Sequence, residues 1–271
     1  MNILISGIGG RMGWMVAEAC LAGMRNSVPV AGYDRTVQDV GGIPVYTDWA
    51  SVHENVDCII DFSHHSATGA LLRFAVSRKI PAVIATTGHT EAEKEEIFQS
   101  AKRIPVFFSA NLSPGIALLE ELTGVVARAF PDADAEIIET HHNRKEDAPS
   151  GTALLLAEAI RSARGAGELQ CGRTGHGRRK RGEIGIHSVR LGNVTGEHEV
   201  RIATDTQTFT LRHEAHSRKI FAEGALMAAA FLIGQEPGLY DMKDLLKKTM
   251  RNAFLGEAAP HCNISDKGEH I

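Results

Sequence analysis

Apolar positions in the N-terminal part of the chain follow two alternating textures. Short runs rich in Ile, Val and Phe occupy 3–5, 28–33, 56–62, 82–86 and 106–109, and between them apolar residues recur at helical spacing over 12–21, 67–78 and 91–102. Over 12–21 the stripe is Met12, Met15, Val16, Ala19 and Cys20, which reads as a core-facing surface. Strands and helices in alternation build a parallel sheet covered on both faces, so this part is expected to be a doubly wound α/β domain.

Further on the texture changes. A longer helix is expected over 113–130, stopped by Pro131, then a strand over 135–140 and another helix after Ser150. Between 182 and 216 three β-like runs are separated by turn residues such as Gly192 with Asn193 and Thr204 with Asp205, which fits an antiparallel meander. Val200 and Ile202, then Phe209 and Leu211, alternate with polar residues, so one face of this sheet is apolar and needs cover from a helix or a partner subunit. Helices over 219–233 and 242–250 follow, and no internal repeat or low-complexity linker is present.

Composition narrows the possibilities. The chain has 271 residues, 43% of them hydrophobic, enough for a sizeable core in one large domain or two modest ones, which excludes a disordered or fibrous protein. With 29 basic and 33 acidic side chains the net charge is −4, and nucleic-acid binding is not expected. Cys20, Cys58, Cys171 and Cys262 form no CxxC pair, which points to a reducing compartment without structural zinc. The longest strongly apolar stretch, near 224–234, is about half of the roughly 20 residues that cross a bilayer, and the N-terminus lacks a charged leader region. A cytoplasmic location with no membrane span is expected.

The 27 glycines carry the first chemical signal. The opening strand ends in GIGGRMG, with Gly7, Gly9, Gly10 and Gly13 at a strand-to-helix turn, where backbone amides can approach a pyrophosphate. Asp34 ends the second strand, where a carboxylate accepts hydrogen bonds from an adenine-ribose diol. The adjacent Arg35, helped by Arg11, suits a ribose 2′-phosphate instead, so NADH and NADPH both remain open. The fourth and fifth strands end in ATTGH, from 85, and SANLSPG, from 109, where open α/β sheets bind ligands. Gly192, Gly196 and Gly238 read as plain turns.

The richest stretch is ETHHNRKEDAPSGTA, over 139–153. His141 and His142 are adjacent, so on an extended backbone they face opposite ways, which argues against one shared metal ion and suits one of them to proton transfer. Lys145 can offset negative charge nearby. Ser150 is a good N-cap after Pro149, and the amides of Gly151 and Thr152 then point from a helix N-terminus toward an anion. In HEAHSR, over 213–218, the histidines are three apart rather than four, so no metal site is expected, and Arg218 can face the anion site or neutralise neighbouring Glu214 or Glu223. The basic run RTGHGRRKR, over 173–181, reads as a solvated face or flap.

Together these segments resemble the dihydrodipicolinate reductase family over nearly the whole chain. The resemblance rests on GIGGRMG, DFSHH over 61–65, ATTG, SANLSPG, ETHHNRKEDAPSGTA, IGIHSVRLGNVTGEH and HEAHSRKIFAEGA, in the family's order. It implies NADH- or NADPH-dependent reduction of 4-hydroxy-tetrahydrodipicolinate, a cyclic dicarboxylate, to tetrahydrodipicolinate in lysine biosynthesis through diaminopimelate. His141 matches the family's proton donor and Lys145 its catalytic lysine, while His142, Gly151 and Thr152 match positions that hold substrate carboxylates. Gly7, Ile8, Gly9, Gly10, Arg11 and Met12 match the pyrophosphate turn, and Asp34 and Arg35 the adenosine-ribose site. Ala85, Thr86 and Thr87, with Ser109, Ala110, Asn111 and Leu112, match the nicotinamide-side loops.

The implied fold is a Rossmann domain over 1–112 and 219–271 joined to a substrate-binding and tetramerisation domain over 113–218. The latter is of α+β type, with an open mixed or antiparallel sheet that builds a homotetramer covering the apolar face of the meander. Departures are Ala85, where the family commonly has glycine, Pro114, where an aliphatic residue is frequent, and an insertion around 165–181. The competing readings are another two-domain NAD(P)-dependent oxidoreductase and a dinucleotide sensor without turnover, and the histidine-lysine segment argues against both.

Overall fold

The computed structural model describes residues 1–36 and 40–255. Cys262 and the tail of the expected first domain lie outside them. Two compact units emerge among the described residues, one comprising Met1–Leu112 with Phe221–Leu255, the other Ser113–Ile220.

The first unit opens with β1 (Asn2–Ser6), α1 (Arg11–Leu21), β2 (Val28–Tyr33), β3 (Val45–Tyr46), β4 (Cys58–Asp61), α2 (Thr68–Arg78), β5 (Ala82–Ile84), α3 (Glu91–Ala101) and β6 (Pro105–Phe108). The second contains α4 (Pro114–Ala129), β7 (Asp134–His141), α5 (Gly151–Arg164), β8 (Leu169–Cys171), β9 (Ile184–Arg190), β10 (Glu197–Ala203) and β11 (Thr208–Glu214). The chain ends its described course with α6 (Lys219–Leu232), β12 (Gly238–Tyr240) and α7 (Met242–Leu255).

In the first unit a seven-stranded, wholly parallel sheet runs β12-β6-β5-β4-β1-β2-β3. Ile3, Leu4 and Ile5 are all buried, as are Ile59, Ile60, Val83 and Ile84, because helices cover both faces and the strands need no polar side. Strand order reverses between β1 and β4, the place where doubly wound sheets open a ligand crevice at the carboxyl ends of their strands. The buried stripe of α1 is Gly13, Val16, Ala17 and Cys20. Met12, Met15 and Ala19, expected in that stripe, are only half-buried. Gly238, expected in a plain turn, instead begins the edge strand β12 beside β6. Among the described residues no helix is long and apolar enough to cross a membrane.

The second unit holds a five-stranded mixed sheet, β11-β10-β7-β9-β8. The expected three-stranded meander is corrected here. Only β10 and β11 form an antiparallel hairpin, whereas β9 lies beyond β7 and pairs with it in parallel. The reason is α5, which carries the chain back to the starting end of β7, so that the following strands run the same way. The apolar face is also covered differently. Val200 and Ile202 sit opposite Ile137 and Ala135, and all four pack with Ile116 and Leu119 of α4 and Leu156 and Ile160 of α5. The chain's own helices cover this face, and no partner subunit is needed for it.

The basic run over 173–181 is not a loose flap. Arg179 pairs with Asp134 at 2.8 Å and with Glu136, and donates to the Ala135 carbonyl at 3.0 Å, while Arg173 pairs with Glu183. Asp134, Ala135 and Glu136 lie at the start of β7, the opposite end of that strand from His141, and Glu183 directly precedes β9.

Candidate active site

The turn after β1 is built by its glycines. Gly7 has φ +76°, and a Cβ there would stand 2.8 Å from the Phe62 carbonyl and the Ser63 nitrogen, while one on Gly13 would overlap the Gly7 carbonyl. Only glycine lets the turn close against α1 and against the segment after β4. Gly10 donates to the Gly7 carbonyl at 3.0 Å and serves as the N-terminal cap residue of α1, with no side chain bonding to the end of that helix. The Gly9 amide donates to Asp34 Oδ2 at 2.8 Å and the Arg35 amide to Asp34 Oδ1 at 2.7 Å, so this carboxylate braces the turn. Gly7, Gly9, Gly10, Asp34 and Arg35 line a cavity of about 550 Å³, with Phe62, Ser63 and His64 on its other wall.

The remaining expected cofactor residues are placed unevenly. Ile8 is buried, and its side chain fills the space left by Gly32, so only its backbone can face a ligand. Arg11 is exposed and Met12 half-buried at the start of α1. The loops over 85–87 and 109–112 leave the adjacent strands β5 and β6, on the far side of β4 from the glycine turn. Thr86 is buried, its hydroxyl 3.1 Å from Asp61, which also accepts from Ser63 Oγ at 2.6 Å. Ser109 Oγ donates to the Asn111 carbonyl at 2.7 Å, and Leu112 is buried, while Ala85 is half-buried and Thr87 and Ala110 are exposed.

In the second unit the chemistry gathers where β7 ends. Inward positions of β7 alternate Ala135, Ile137, Glu139 and His141, so the strand that supplies the core also supplies the site. His141 Nδ1 lies 2.5 Å from Glu139 Oε2. Glu139 is fully buried and bidentate with Arg190 at 2.8 and 2.9 Å, and it also accepts the Ser150 amide at 3.1 Å. Burial opposes its ionisation, yet bonds from Arg190, Ser188 and His141 outweigh that and hold the carboxyl at about 2.

His198, buried opposite Glu139 on β10, meets the His141 ring edge-on with centroids 5.2 Å apart. Burial, reinforced by the charge of His141, pushes His198 down to about 4, so it is neutral at physiological pH. Burial and then the charges of Arg144 and Arg218 also lower His142, whose Nδ1 is buried without a hydrogen-bond partner among the described residues. Lys145 Nζ pairs with Asp147 at 2.7 Å. Ser150 caps α5, its Oγ accepting from the Ala153 amide at 3.2 Å, with Gly151 and Thr152 in the first turn. His141, His142, Lys145, Gly151, Thr152 and Arg218 thus all belong to the second unit.

The comparisons with known proteins agree along the chain. The profile of the N-terminal part of dihydrodipicolinate reductase matches residues 1–112, and that of its C-terminal part matches 115–246. A 4-hydroxy-tetrahydrodipicolinate reductase of Caldanaerobacter subterraneus is 46% identical over 92% of this chain and 99% of that protein. This chain belongs to the dihydrodipicolinate reductase family. The corresponding reductase of Alkaliphilus oremlandii is 41% identical over 91% of this chain and 98% of its own length. Among solved structures, the dipicolinate-bound dihydrodipicolinate reductase of Paenisporosarcina sp. TG-14 superposes with a TM-score of 0.76. It has 25% identity and covers 89% of this chain and 97% of that one.

Sequence reasoning gave no role to Glu139, Arg190, His198 or Gly196 in this dihydrodipicolinate reductase family member. Gly196 was expected to be a plain turn, but it lies against the His141 ring, where a Cβ would stand 3.0 Å from Nε2. A signal for Glu139 was available: a charged residue at an inward position of a strand whose other inward residues are apolar requires a buried partner. The others come from β9, β10 and the turn before β10, and only the sheet register brings them to β7.

Proposed function

We propose that this chain reduces 4-hydroxy-tetrahydrodipicolinate to tetrahydrodipicolinate with NADH or NADPH, a step in lysine biosynthesis through diaminopimelate. The observation that carries the reading is the convergence on one short segment of a histidine, a lysine and a capped helix N-terminus, as a cyclic dicarboxylate requires. In this reading the first unit binds the dinucleotide and the second the substrate. The glycine turn fits a dinucleotide, because Gly7, Gly9 and Gly10 line the cavity beside Asp34 without side chains, and a Cβ at Gly7 or Gly13 would strike the backbone that shapes the turn. Gly7 to Met12 would hold the pyrophosphate, Asp34 and Arg35 the adenosine ribose, and the loops over 85–87 and 109–112 the nicotinamide. When bound, the reduced nicotinamide supplies hydride.

Loss of the substrate hydroxyl as water leaves a conjugated imine, whose reduction needs hydride at one ring carbon and a proton at another. His141 delivers that proton to the enamine-like intermediate. Lys145, paired with Asp147, turns to the substrate and offsets its negative charge. The amides of Gly151 and Thr152, with His142 and Arg218, bind the carboxylates. Asp34 carries the negative charge that favours a ribose diol and Arg35 the positive charge that accepts a 2′-phosphate, so both cofactors are admitted. A homotetrameric assembly and a cytoplasmic location complete the proposal, supported by the family resemblance.

The test follows NADH and NADPH oxidation with enzymatically generated hydroxy-tetrahydrodipicolinate. His141→Gln is expected to lower kcat by about 10²- to 10⁴-fold, the usual worth of a positioned general acid, and Lys145→Ala to impair turnover as well. Near-normal turnover in both variants would sink the reading, and the cofactor ratio reports the balance between Asp34 and Arg35.

A further inference from the structure

The geometry points to Glu139, clamped by Arg190, as the positioning residue that fixes the His141 tautomer and aims its Nε2 at the substrate. This rests on the reading of His141 as proton donor.

Each atom of the Glu139 carboxylate has an assigned partner. Oε1 accepts from Arg190 Nη2 and from the Ser150 amide, Oε2 from Arg190 Nη1 at 2.9 Å, and the Ser188 side chain also bonds to this carboxylate, while His141 Nδ1 lies 2.5 Å from Oε2. An ionised carboxylate only accepts, so Nδ1 must carry hydrogen and donate. The proton to be delivered is then the one on Nε2. On transfer the Nε2–H bond breaks, a C–H bond forms on the substrate ring, and the N–H electron pair stays on Nε2. The product histidine is neutral with hydrogen on Nδ1, still bonded to a carboxylate that has not changed charge. Solvent protonates Nε2 again.

Three further contacts serve the same end. Arg190 Nη2 also donates to the Asp147 carbonyl at 2.6 Å, tying the clamp to the loop that carries Lys145. Gly196 leaves room beside Nε2, which a side chain there would crowd. The charged and titratable groups around the His141 ring are Glu139 on β7, Arg190 on β9, His198 on β10, and His142 and Lys145 in the following loop. Of these, His198 stays neutral and so does not compete as a second imidazolium against the ring.

Glu139→Gln tests the role. Its amide offers only one acceptor oxygen for Arg190, the Ser150 amide, Ser188 and His141 together, and its NH₂ facing Nδ1 favours the opposite tautomer. Two measurements are made on the full-length protein. Nitrogen-15 spectra of histidine-labelled protein, with the His141 signals assigned by their loss in His141→Gln, are expected to show neutral His141 with hydrogen on Nδ1 in the wild type and on Nε2 in Glu139→Gln. In steady state, Glu139→Gln is expected to lower kcat about 100-fold or more while KM for the substrate stays within about threefold, as for a base deprived of its orienting carboxylate.

A wild-type His141 with hydrogen on Nε2 overturns the proposal whether or not the variant folds. A folded Glu139→Gln with near wild-type kcat also overturns it, and leaves the reaction itself standing. If the wild type oxidises neither cofactor, the reading of the reaction fails instead, and the tautomer measurement still decides what Glu139 does.

Discussion

Acidification singles out the carboxylate at the centre of the second unit. Glu139 ionises in the folded protein at about 2, against 4.5 for an ordinary glutamate, since bonds from Arg190, Ser188 and His141 overcome the opposing effect of burial. A carboxyl held below its unfolded value adds stability that is complete above about 4.5 and lost as pH falls through about 2. At about 1.4 kcal/mol per pH unit, the gap between 4.5 and about 2 corresponds to about 3 kcal/mol at neutral pH. Glu93 titrates in the same window, because His65 and the Thr90 amide hold it near 2 as well, so the wild-type curve alone does not isolate Glu139. Subtraction does. Urea unfolding of wild type and Glu139→Gln is measured from about pH 6 to about pH 2, and the wild-type advantage is expected to shrink by about 3 kcal/mol across that range. A difference that stays constant within about 1 kcal/mol would refute the claim that the clamp stabilises the ionised carboxylate.

Two further outcomes follow from the geometry. Gly13→Ala places a Cβ on the Gly7 carbonyl, where backbone must move, and is expected to cost about 1–3 kcal/mol of stability and to weaken NADH and NADPH binding about tenfold or more, read by thermal melting and cofactor titration. Cofactor affinity within about twofold of wild type would show that the turn does not set the cradle. Arg179→Ala removes the anchor of the basic run at the start of β7, about 20 Å along the strand from His141. It is expected to lower the melting temperature by several degrees with substrate KM unchanged, and a large rise in KM would mean that this run does cover the substrate.

The fold and the site were legible in the sequence to different depths, for physical reasons. Strands buried on both faces announce themselves as unbroken apolar runs, as in Ile3 to Ile5 or Ile59 with Ile60, so the doubly wound half could be read directly. The edge strands β3, β8 and β12 have two or three residues, too few for any period to register, and Leu169 in β8 is exposed. Pairing was less visible than strand character. Nothing local in β9 distinguishes a neighbour of β10 from a neighbour of β7, because that choice is made by the return path of α5. The same division runs through the site. His141, Lys145, Gly151 and Thr152 stand out because one strand end, one loop and one helix start carry them in a continuous segment. Arg190 and His198 reach Glu139 only through the parallel register with β9 and the antiparallel register with β10. A charged residue at an inward strand position can therefore be recognised from sequence as needing a partner, but which residue answers it is decided by topology, and topology is where local sequence has least to say.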